Sequence, residues 1–286
     1  MKIQKYPVPS IAVLLLLLGC VTVFSQTPGL LKRTTYKSDR LDFGVGGTLV
    51  VVGAPQGSIK VVGWSNNEIE INATIELQAA TEQDLAALAG VTGFVLEESL
   101  GRTAIISVGT HDKKGLKKAG AKLPKKLFGL PFRIDYEVKV PQYCDLQIDG
   151  GSGDLTISGI EGTMKINHLN TNAKMALVGG SVTATFGAGN VDIVVPVRNW
   201  RGRFADVQLA TGNMNIYLPP NLSSEIDAVV LRTGGVENVF TDFKPRSRNV
   251  KFTEKSIIAK SGNGGIPLKF TVGDGTLKLL ETPKPQ

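Results

Sequence analysis

The sequence has few of the residues on which catalytic and metal chemistry usually depends. It contains 2 Cys and 2 His among 286 residues, and His111 and His168 lie far apart along the chain. No zinc-type ligand spacing can be built from them. The chain also lacks a Gly-x-Ser-x-Gly nucleophile turn, a phosphate-binding loop and a complete Gly-x-Gly-x-x-Gly motif. We therefore expect no catalytic residue, no metal site and no cofactor.

Aromatic residues are scarce as well, at 6% of the chain. A module that stacks nucleic-acid bases needs more of them, so we expect no nucleic-acid partner. Charged residues make up only 20% and apolar residues 42%, which is too apolar for a disordered chain and sufficient for a large core. The 33 glycines recur between short apolar alternations, a pattern typical of many strands joined by tight turns.

The N-terminus has the pattern of a signal peptide. Lys2 and Lys5 are followed by an almost purely apolar run at 11–24, which is short for a membrane span. Val23 and Ser25 occupy the positions that signal peptidase reads, so we expect residues 1–25 to be removed after Ser25. The protein is then exported, to the periplasm, the outer membrane or the cell surface.

A second processing route competes with cleavage after Ser25. The segment Leu17-Leu18-Gly19-Cys20 resembles a lipobox, in which Cys20 is lipidated. Leu18 is not the small residue that this motif favours, and the apolar run continues past Cys20. The other cysteine, Cys144, has no His nearby in sequence, and we expect it to be a small buried residue.

An internal repeat is the strongest structural signal. Six starting positions, 144, 153, 162, 171, 180 and 189, are spaced nine residues apart, and four of them are Gly. Each is followed two and four residues later by an apolar pair: Leu146/Ile148, Leu155/Ile157, Met164/Ile166, Ala173/Met175, Val182/Ala184 and Val191/Ile193. Alternation of this kind predicts short strands with one buried face. A fixed short period predicts an all-β solenoid, with either two or three units in each coil.

One segment, 81–131, breaks the repeat. Thr81 with Asp84 predicts the N-terminus of a short helix, because the side chain at the first position can accept from a backbone N–H of the first turn. Two strands are expected near 94–98 and 103–108. We interpret 26–46 as a linker with a first strand, and 47–283 as the solenoid domain that carries 81–131 as a helical and basic insertion.

The order of these motifs resembles the DUF4097-type bacterial putative adhesin domains, which are related to the GIN-type putative adhesin heads. The resemblance is carried by 57–61 running into Gly63-Trp64, by 68–71, by 136–141 and by 152–157. It covers roughly residues 47–280. It implies a single-stranded right-handed β-helix, exported to the cell envelope, without established catalytic residues. The long basic insertion and the loop around Trp200 depart from the plainest members of that family.

The basic stretch at 109–133, called the basic insertion below, is the first candidate binding surface. Between positions 109 and 133 Asp112 is the only acidic residue, so eight cations and one anion give this segment +7, equal to the net charge of the whole chain. The cations are Lys113, Lys114, Lys117, Lys118, Lys122, Lys125, Lys126 and Arg133. In an exported protein they can contact an anionic envelope polymer, lipid or glycan surface. A solvated loop that only aids solubility is the alternative.

A second candidate is the loop that interrupts the nine-residue rhythm after position 196. Trp200 is flanked there by Arg198, Arg201 and Arg203. An exposed indole among guanidinium groups can grip an acidic glycan by stacking and charge. Packing of Trp200 over the solenoid edge is the alternative.

We interpret the chain as a non-enzymatic envelope or surface protein, an adhesin-like binding scaffold whose solenoid ends can also associate with one another. A β-helical polysaccharide lyase or hydrolase is the enzymatic alternative, with Asp145 and Asp154 as its acid and base. The other polar residues at equivalent repeat positions are Thr163, Asn172, Ser181 and Asn190, and a stack with them would instead make both aspartates part of a polar ladder at the turns. A periplasmic structural or stress-linked protein is the third possibility.

Overall fold

The computed structural model describes residues 29–118, 123–196, 201–220, 222–240, 243–245 and 252–282. It is nearly all β, with one 17-stranded sheet that does not close on itself. The signal-peptide and Cys20 interpretations therefore fall outside the described residues. Within the described part of the chain, no helix is long and apolar enough to cross a membrane.

In the described part of the chain, strands far outnumber helices. The strands are β1 (Leu31–Asp42), β2 (Thr48–Val52), β3 (Ile59–Trp64), β4 (Glu68–Ala79), β5 (Gly93–Ser99), β6 (Arg102–Val108), β7 (Phe132–Pro141), β8 (Asp145–Ser152), β9 (Leu155–Ser158), β10 (Thr163–Ala176), β11 (Gly179–Val194), β12 (Arg201–Leu218), β13 (Ser224–Val230), β14 (Gly234–Asn238), β15 (Phe243–Pro245), β16 (Ser256–Ser261) and β17 (Ile266–Glu281). The helices are α1 (Glu82–Ala89) and α2 (Lys113–Lys118), with a short 3₁₀ turn at Lys125–Leu127.

The repeat block forms parallel strands whose register follows the sequence period. In β10, Met164 pairs with Leu146 of β8 and with Val182 of β11, each 18 positions away. Ala173 pairs with Leu155 of β9, again 18 positions away. Each step from one paired strand to the next therefore contains two nine-residue units.

The next step is longer. Val182 pairs with Ala205 of β12, 23 positions on, after a register shift between Gly180 and Ser181. The extra residues belong to the segment that contains Trp200. β12 then pairs in parallel with β17. Strands β13 to β16 lie in the part of the chain between β12 and β17.

The strands form two ladders that share β10, β11, β12 and β17. The first halves of those strands continue the row β5, β6, β2 and β8, and end on β13, β16 and β15. Their second halves continue the row β1, β4, β7, β3 and β9, and end on β14. Among the described residues, β1, β5, β14 and β15 are each paired on one side only.

Both ladders contribute to a single core. In β10 the side chains of Met164 and Ile166 from one half, and of Ala173 and Met175 from the other, are all at most 1% exposed and belong to the same cluster. Lys165 and Lys174, which lie between the two members of each pair, face solvent, as period-two alternation requires. Burial of these two rows provides the main stabilisation of the fold.

A column of glycines lies where the strands pass from one ladder to the other. Gly212 and Gly275 have φ of +133° and +136°, values that L side chains rarely adopt. A Cβ on Gly212 would lie 1.8 Å from the carbonyl oxygen of Gly189, and one on Gly275 would lie 1.8 Å from that of Gly212. These glycines allow successive strands to approach closely.

A ladder of side-chain amides follows the glycine column on the solvent side. Asn172 Nδ2 donates to Asp154 at 3.3 Å, Asn190 donates to Asn172 at 3.1 Å, and Asn213 donates to Asn190 at 3.0 Å. Thr276 Oγ1 continues the ladder by donating to Asn213 at 2.6 Å. The polar residues just after the repeat starts 153, 171 and 189 therefore bond to one another along the stack.

Helix α1 begins where the sequence predicts. Thr81 Oγ1 accepts from the backbone N–H of Asp84 at 3.1 Å, and Leu85 and Leu88 are fully buried. Strands β5 and β6 follow and confirm the two strands expected after the helix.

Candidate functional site

The basic insertion is folded onto the body of the protein rather than detached from it. Asp112 Oδ1 accepts from the backbone N–H of Gly115 at 2.8 Å, which caps the first turn of α2. Leu116 and Leu127 are 4% and 1% exposed, so both ends of the insertion are anchored by apolar contacts. The sequence did not predict α2, because lysines dominate it and only Leu116 marks an apolar face.

The lysines of the insertion point mostly to solvent. Lys126 Nζ pairs with Asp84 at 2.8 Å, and its hydrogen bond lowers the pKa of that carboxyl. Lys113 Nζ lies 5.2 Å from the centre of the Phe128 ring. Four described lysines of the insertion have exposed side chains and no ion pair: Lys113, Lys114, Lys117 and Lys125.

Arg133, another predicted member of the basic set, is held in an ion pair with Asp135. Arg133 Nε donates to both carboxylate oxygens of Asp135 at 2.9 and 2.8 Å, and this hydrogen bonding raises the pKa of Arg133. Burial opposes ionisation of Asp135, but the bonds from Arg133 and Ser58 still hold its pKa below the usual value. The side chain of Lys118, and Lys122 as a whole, lie outside the described residues.

Two cavities adjoin the insertion and share His111 and Pro55. The first, about 540 Å³, is lined by polar and apolar residues that include Gln56, Gln78 and Arg133. The second is an open groove of about 660 Å³ with mostly apolar lining. His111 stacks on Phe132 with ring centres 5.2 Å apart, and burial lowers its pKa.

His168 lies in the floor of the groove. It is 3% exposed, and neither ring nitrogen has a hydrogen-bond partner. Its ring fills the space that a side chain at Gly150 would occupy, since a Cβ there would lie 2.2 Å from His168 Cδ2. Burial lowers the pKa of His168, so the ring is neutral. The fold thus brings the two histidines to one groove, which their separation in sequence concealed.

The loop of the second candidate site is described only in part. Arg198 and Trp200 lie outside the described residues. Arg201 and Arg203 stand at the start of β12 with exposed side chains, and Arg201 lies 3.7 Å from Glu161. Phe204 beside them is 39% exposed. The glycan-contact interpretation of this loop stays a prediction.

The candidate acid and base of the enzymatic alternative lie in different ladders. Asp145 begins β8 in the first ladder, and Asp154 directly precedes β9 in the second. Asp145 accepts from the backbone N–H of Thr163 at 2.6 Å, and Asp154 belongs to the amide ladder. Each carboxylate thus has a partner within its own ladder, as the polar-ladder alternative expects.

The remaining reactive groups have structural roles in the described chain. Cys144 is a buried free thiol, and burial raises its pKa to about 12, far from the range of a nucleophile. The described ranges contain no group of three or more His, Cys, Asp or Glu side chains placed to hold a metal ion.

No protein-family model and no curated protein sequence matches this chain. The resemblance to the DUF4097-type domains therefore stays a prediction.

The solved structures to which this chain is similar include three proteins of low sequence identity. A putative cell adhesion protein from Clostridium sporogenes is 13% identical, with a TM-score of 0.46, over 87% of this chain and 100% of its own. A putative adhesin from Bacteroides fragilis is 11% identical, with a TM-score of 0.34, over 86% and 97%. A putative lipid binding protein from Parabacteroides distasonis is 12% identical, with a TM-score of 0.27, over 86% and 97%. These similarities are too low to transfer a ligand or an activity to this chain.

Proposed function

We propose that this chain is a non-enzymatic, exported envelope or surface protein that contacts an anionic surface through its basic insertion. The observation that carries the proposal is the group of four exposed lysines without ion pairs, Lys113, Lys114, Lys117 and Lys125, on a segment anchored by Leu116 and Leu127. Anchoring matters because lysines on a folded segment lose less freedom when they bind than lysines on a free loop.

The scaffold of this proposal is a β-solenoid of the DUF4097 type. Parallel pairing at intervals of 18 residues, with inward rows from both ladders in one core, supports that architecture. The signal peptide at 1–25, or lipidation of Cys20, would deliver it to the envelope. Its singly paired strands β1, β5, β14 and β15 offer edges for self-association.

Charge reversal tests the proposal. Each lysine near an anionic membrane contributes up to about 1 kcal/mol, so Lys113→Glu, Lys114→Glu and Lys117→Glu together should weaken binding to vesicles of phosphatidylglycerol and phosphatidylcholine by about 100-fold or more at low salt. The measurement is co-sedimentation across a salt series, because screening should weaken wild-type binding as salt rises.

A matched control has the same change in net charge elsewhere. Lys165→Glu, Lys174→Glu and Lys269→Glu alter three exposed lysines on the outer faces of the strands. This variant should bind the vesicles within a few-fold of wild type. Equal loss in both triple variants would mean that net charge alone, and not the insertion, drives binding, and the proposal would then be wrong.

A further inference from the structure

The groove beside the insertion runs across the strands rather than along them. Its lining comes from equivalent positions on neighbouring strands: Val52 of β2 pairs with Asp149 of β8, which pairs with Asn167 of β10. Thr185 of β11 continues this row, and Ala210 of β12 lines the far end of the groove. At about 4.8 Å per strand, the five strands give a trough roughly 20 Å long.

Small residues make up much of the trough lining. The lining includes four glycines and two alanines: Gly53, Gly150, Gly151, Gly187, Ala54 and Ala210. A Cβ on Gly187 would lie 2.4 Å from the carbonyl oxygen of Leu169, and one on Gly151 would lie 2.5 Å from that of Pro55, so these glycines let neighbouring segments approach closely along the trough. Leu169 stands on the wall of the trough with 66% of its surface exposed, a large apolar side chain with little cover.

The direction of the trough decides between classes of ligand. The strands beneath it already pair with one another through their backbone groups. A peptide laid across them would find few partners for its own amides, which makes a peptide a poor occupant. Asp149, the only carboxylate in the lining, already accepts from Gln147 at 3.1 Å and Asn167 at 3.0 Å, so the walls also offer little to a sugar chain. A hydrocarbon chain leaves no such groups unpaired.

His168 lies beneath the trough and offers no polar contact to an occupant. It is more than nine-tenths buried, and both of its ring nitrogens are enclosed by the protein without a hydrogen-bond partner. The surface above it is mostly apolar, which suits a hydrocarbon chain better than a polar one.

We infer that the trough binds the acyl chain of an anionic amphiphile whose head group lies at the insertion, an inference that rests on the proposed function of the insertion. His111 and Pro55 line both the trough and the neighbouring cavity with Gln56 and Gln78. The lysines of α2 follow His111 by two residues and more. An acyl chain in the trough therefore places its negative end next to positive charge.

The test measures binding of monomeric palmitoyl lysophosphatidic acid, kept below its micelle concentration, by titration calorimetry with the full mature chain. Leu169→Glu puts a charge on the trough wall and should lower the affinity at least about tenfold, since burial of one leucine side chain contributes about 1.5–3 kcal/mol. Leu231→Glu is the matched control, because Leu231 is also an exposed leucine, at 60%, and does not line the trough. It should bind as wild type does.

Two further ligands separate the contribution of the head group from that of the acyl chain. Glycerol phosphate has the head group without the chain, and it should bind at least about 100-fold more weakly than the lysolipid. Palmitate has the chain with a carboxylate, and it should bind in the trough with the same sensitivity to Leu169→Glu. Equal affinity for glycerol phosphate and the lysolipid would overturn the acyl-chain inference.

Different binding results would overturn the acyl-chain inference and the proposed function of the insertion. Salt-sensitive binding to anionic vesicles without binding of either monomeric amphiphile would overturn the acyl-chain inference and leave the insertion as a surface contact. Binding of the lysolipid that is lost in Leu169→Glu and retained in the Lys113, Lys114 and Lys117 triple variant would support the trough and contradict the role of the lysines. Absence of binding to vesicles and amphiphiles alike would overturn both.

Discussion

Gly212 illustrates how single positions set the spacing of this fold. Its φ is +133°, and its missing Cβ leaves room for the carbonyl of Gly189 at 1.8 Å from where that carbon would be. Gly265 has a similar φ of +118° but nothing within 4 Å of its Cβ position. Substitution of either glycine would strain the backbone, but only a side chain at Gly212 would also clash with a neighbouring strand.

Gly212→Ala should therefore destabilise the protein far more than Gly265→Ala. Backbone strain alone costs about 1–3 kcal/mol, which is the loss we expect for Gly265→Ala. The added backbone clash should bring Gly212→Ala above about 4 kcal/mol or prevent folding. Urea unfolding of both variants measures the difference. Similar losses would contradict the close approach of strands at Gly212.

His168 makes the free energy of unfolding depend on pH. Burial lowers the pKa of His168 below 6.5, the value of an unperturbed histidine. At acidic pH the unfolded chain then binds a proton that the folded chain resists, so the free energy of unfolding is highest above about pH 6.5 and falls as the pH decreases toward the folded pKa. His111 acts in the same direction, because its pKa is also lowered by burial.

His168→Leu should remove part of this acid sensitivity. The leucine keeps the apolar bulk and removes two unpartnered nitrogens, so stability near pH 7.5 should be equal or higher. The drop in unfolding free energy between about pH 7.5 and pH 5 should be smaller than in wild type. Urea unfolding at both pH values checks this, and an unchanged drop would mean that folding does not lower the pKa of His168.

At the scale of single elements, α1 and the insertion depend on each other. Thr81 caps α1, and Asp84 in its first turn pairs with Lys126 of the insertion at 2.8 Å. A loosened first turn would therefore also loosen the segment that carries the lysines. This links a local helix signal in the sequence to the position of the candidate surface.

Thr81→Ala should cost about 1 kcal/mol of stability, since it removes the cap of α1. Thr81→Ser retains a hydroxyl that can accept from the N–H of Asp84 and should recover most of the loss. Hydrogen exchange should quicken in α1 and around Lys126 in the alanine variant. Unchanged exchange near Lys126 would show that the insertion is held without help from α1.

Much of the strand pattern could be read from the sequence because period-two alternation and the nine-residue spacing are local signals. Leu146, Met164 and Val182 lie in register as equal repeat positions should. Helix α2 could not be read, because its apolar face consists of one residue, Leu116. The groove could not be read either: its lining comes from five strands and from His111, and no local pattern reports contacts between residues so far apart.

At the scale of the whole molecule, the register makes one 18-residue step the unit of the scaffold. Deletion of residues 163–180 removes one full step and joins Gly162 to Ser181, which pairs with Thr163 and is its equivalent. Inward residues stay inward, so we expect a folded, cooperative protein with less buried surface. Deletion of 163–171 removes half a step and should misfold, because the remaining half-strand no longer faces its own ladder. Circular dichroism and thermal unfolding compare the two, and equal outcomes would contradict the solenoid.

The proposed contact surface for an anionic partner is the basic insertion at 109–133. Hydrogen exchange with and without phosphatidylglycerol vesicles is the decisive measurement, because it locates contact on the full chain. We expect slower exchange in α2 and around Lys125, with the strands β13 to β16 unchanged. Protection confined to those strands or to the start of β12, with α2 unaffected, would mean that another surface meets the vesicles.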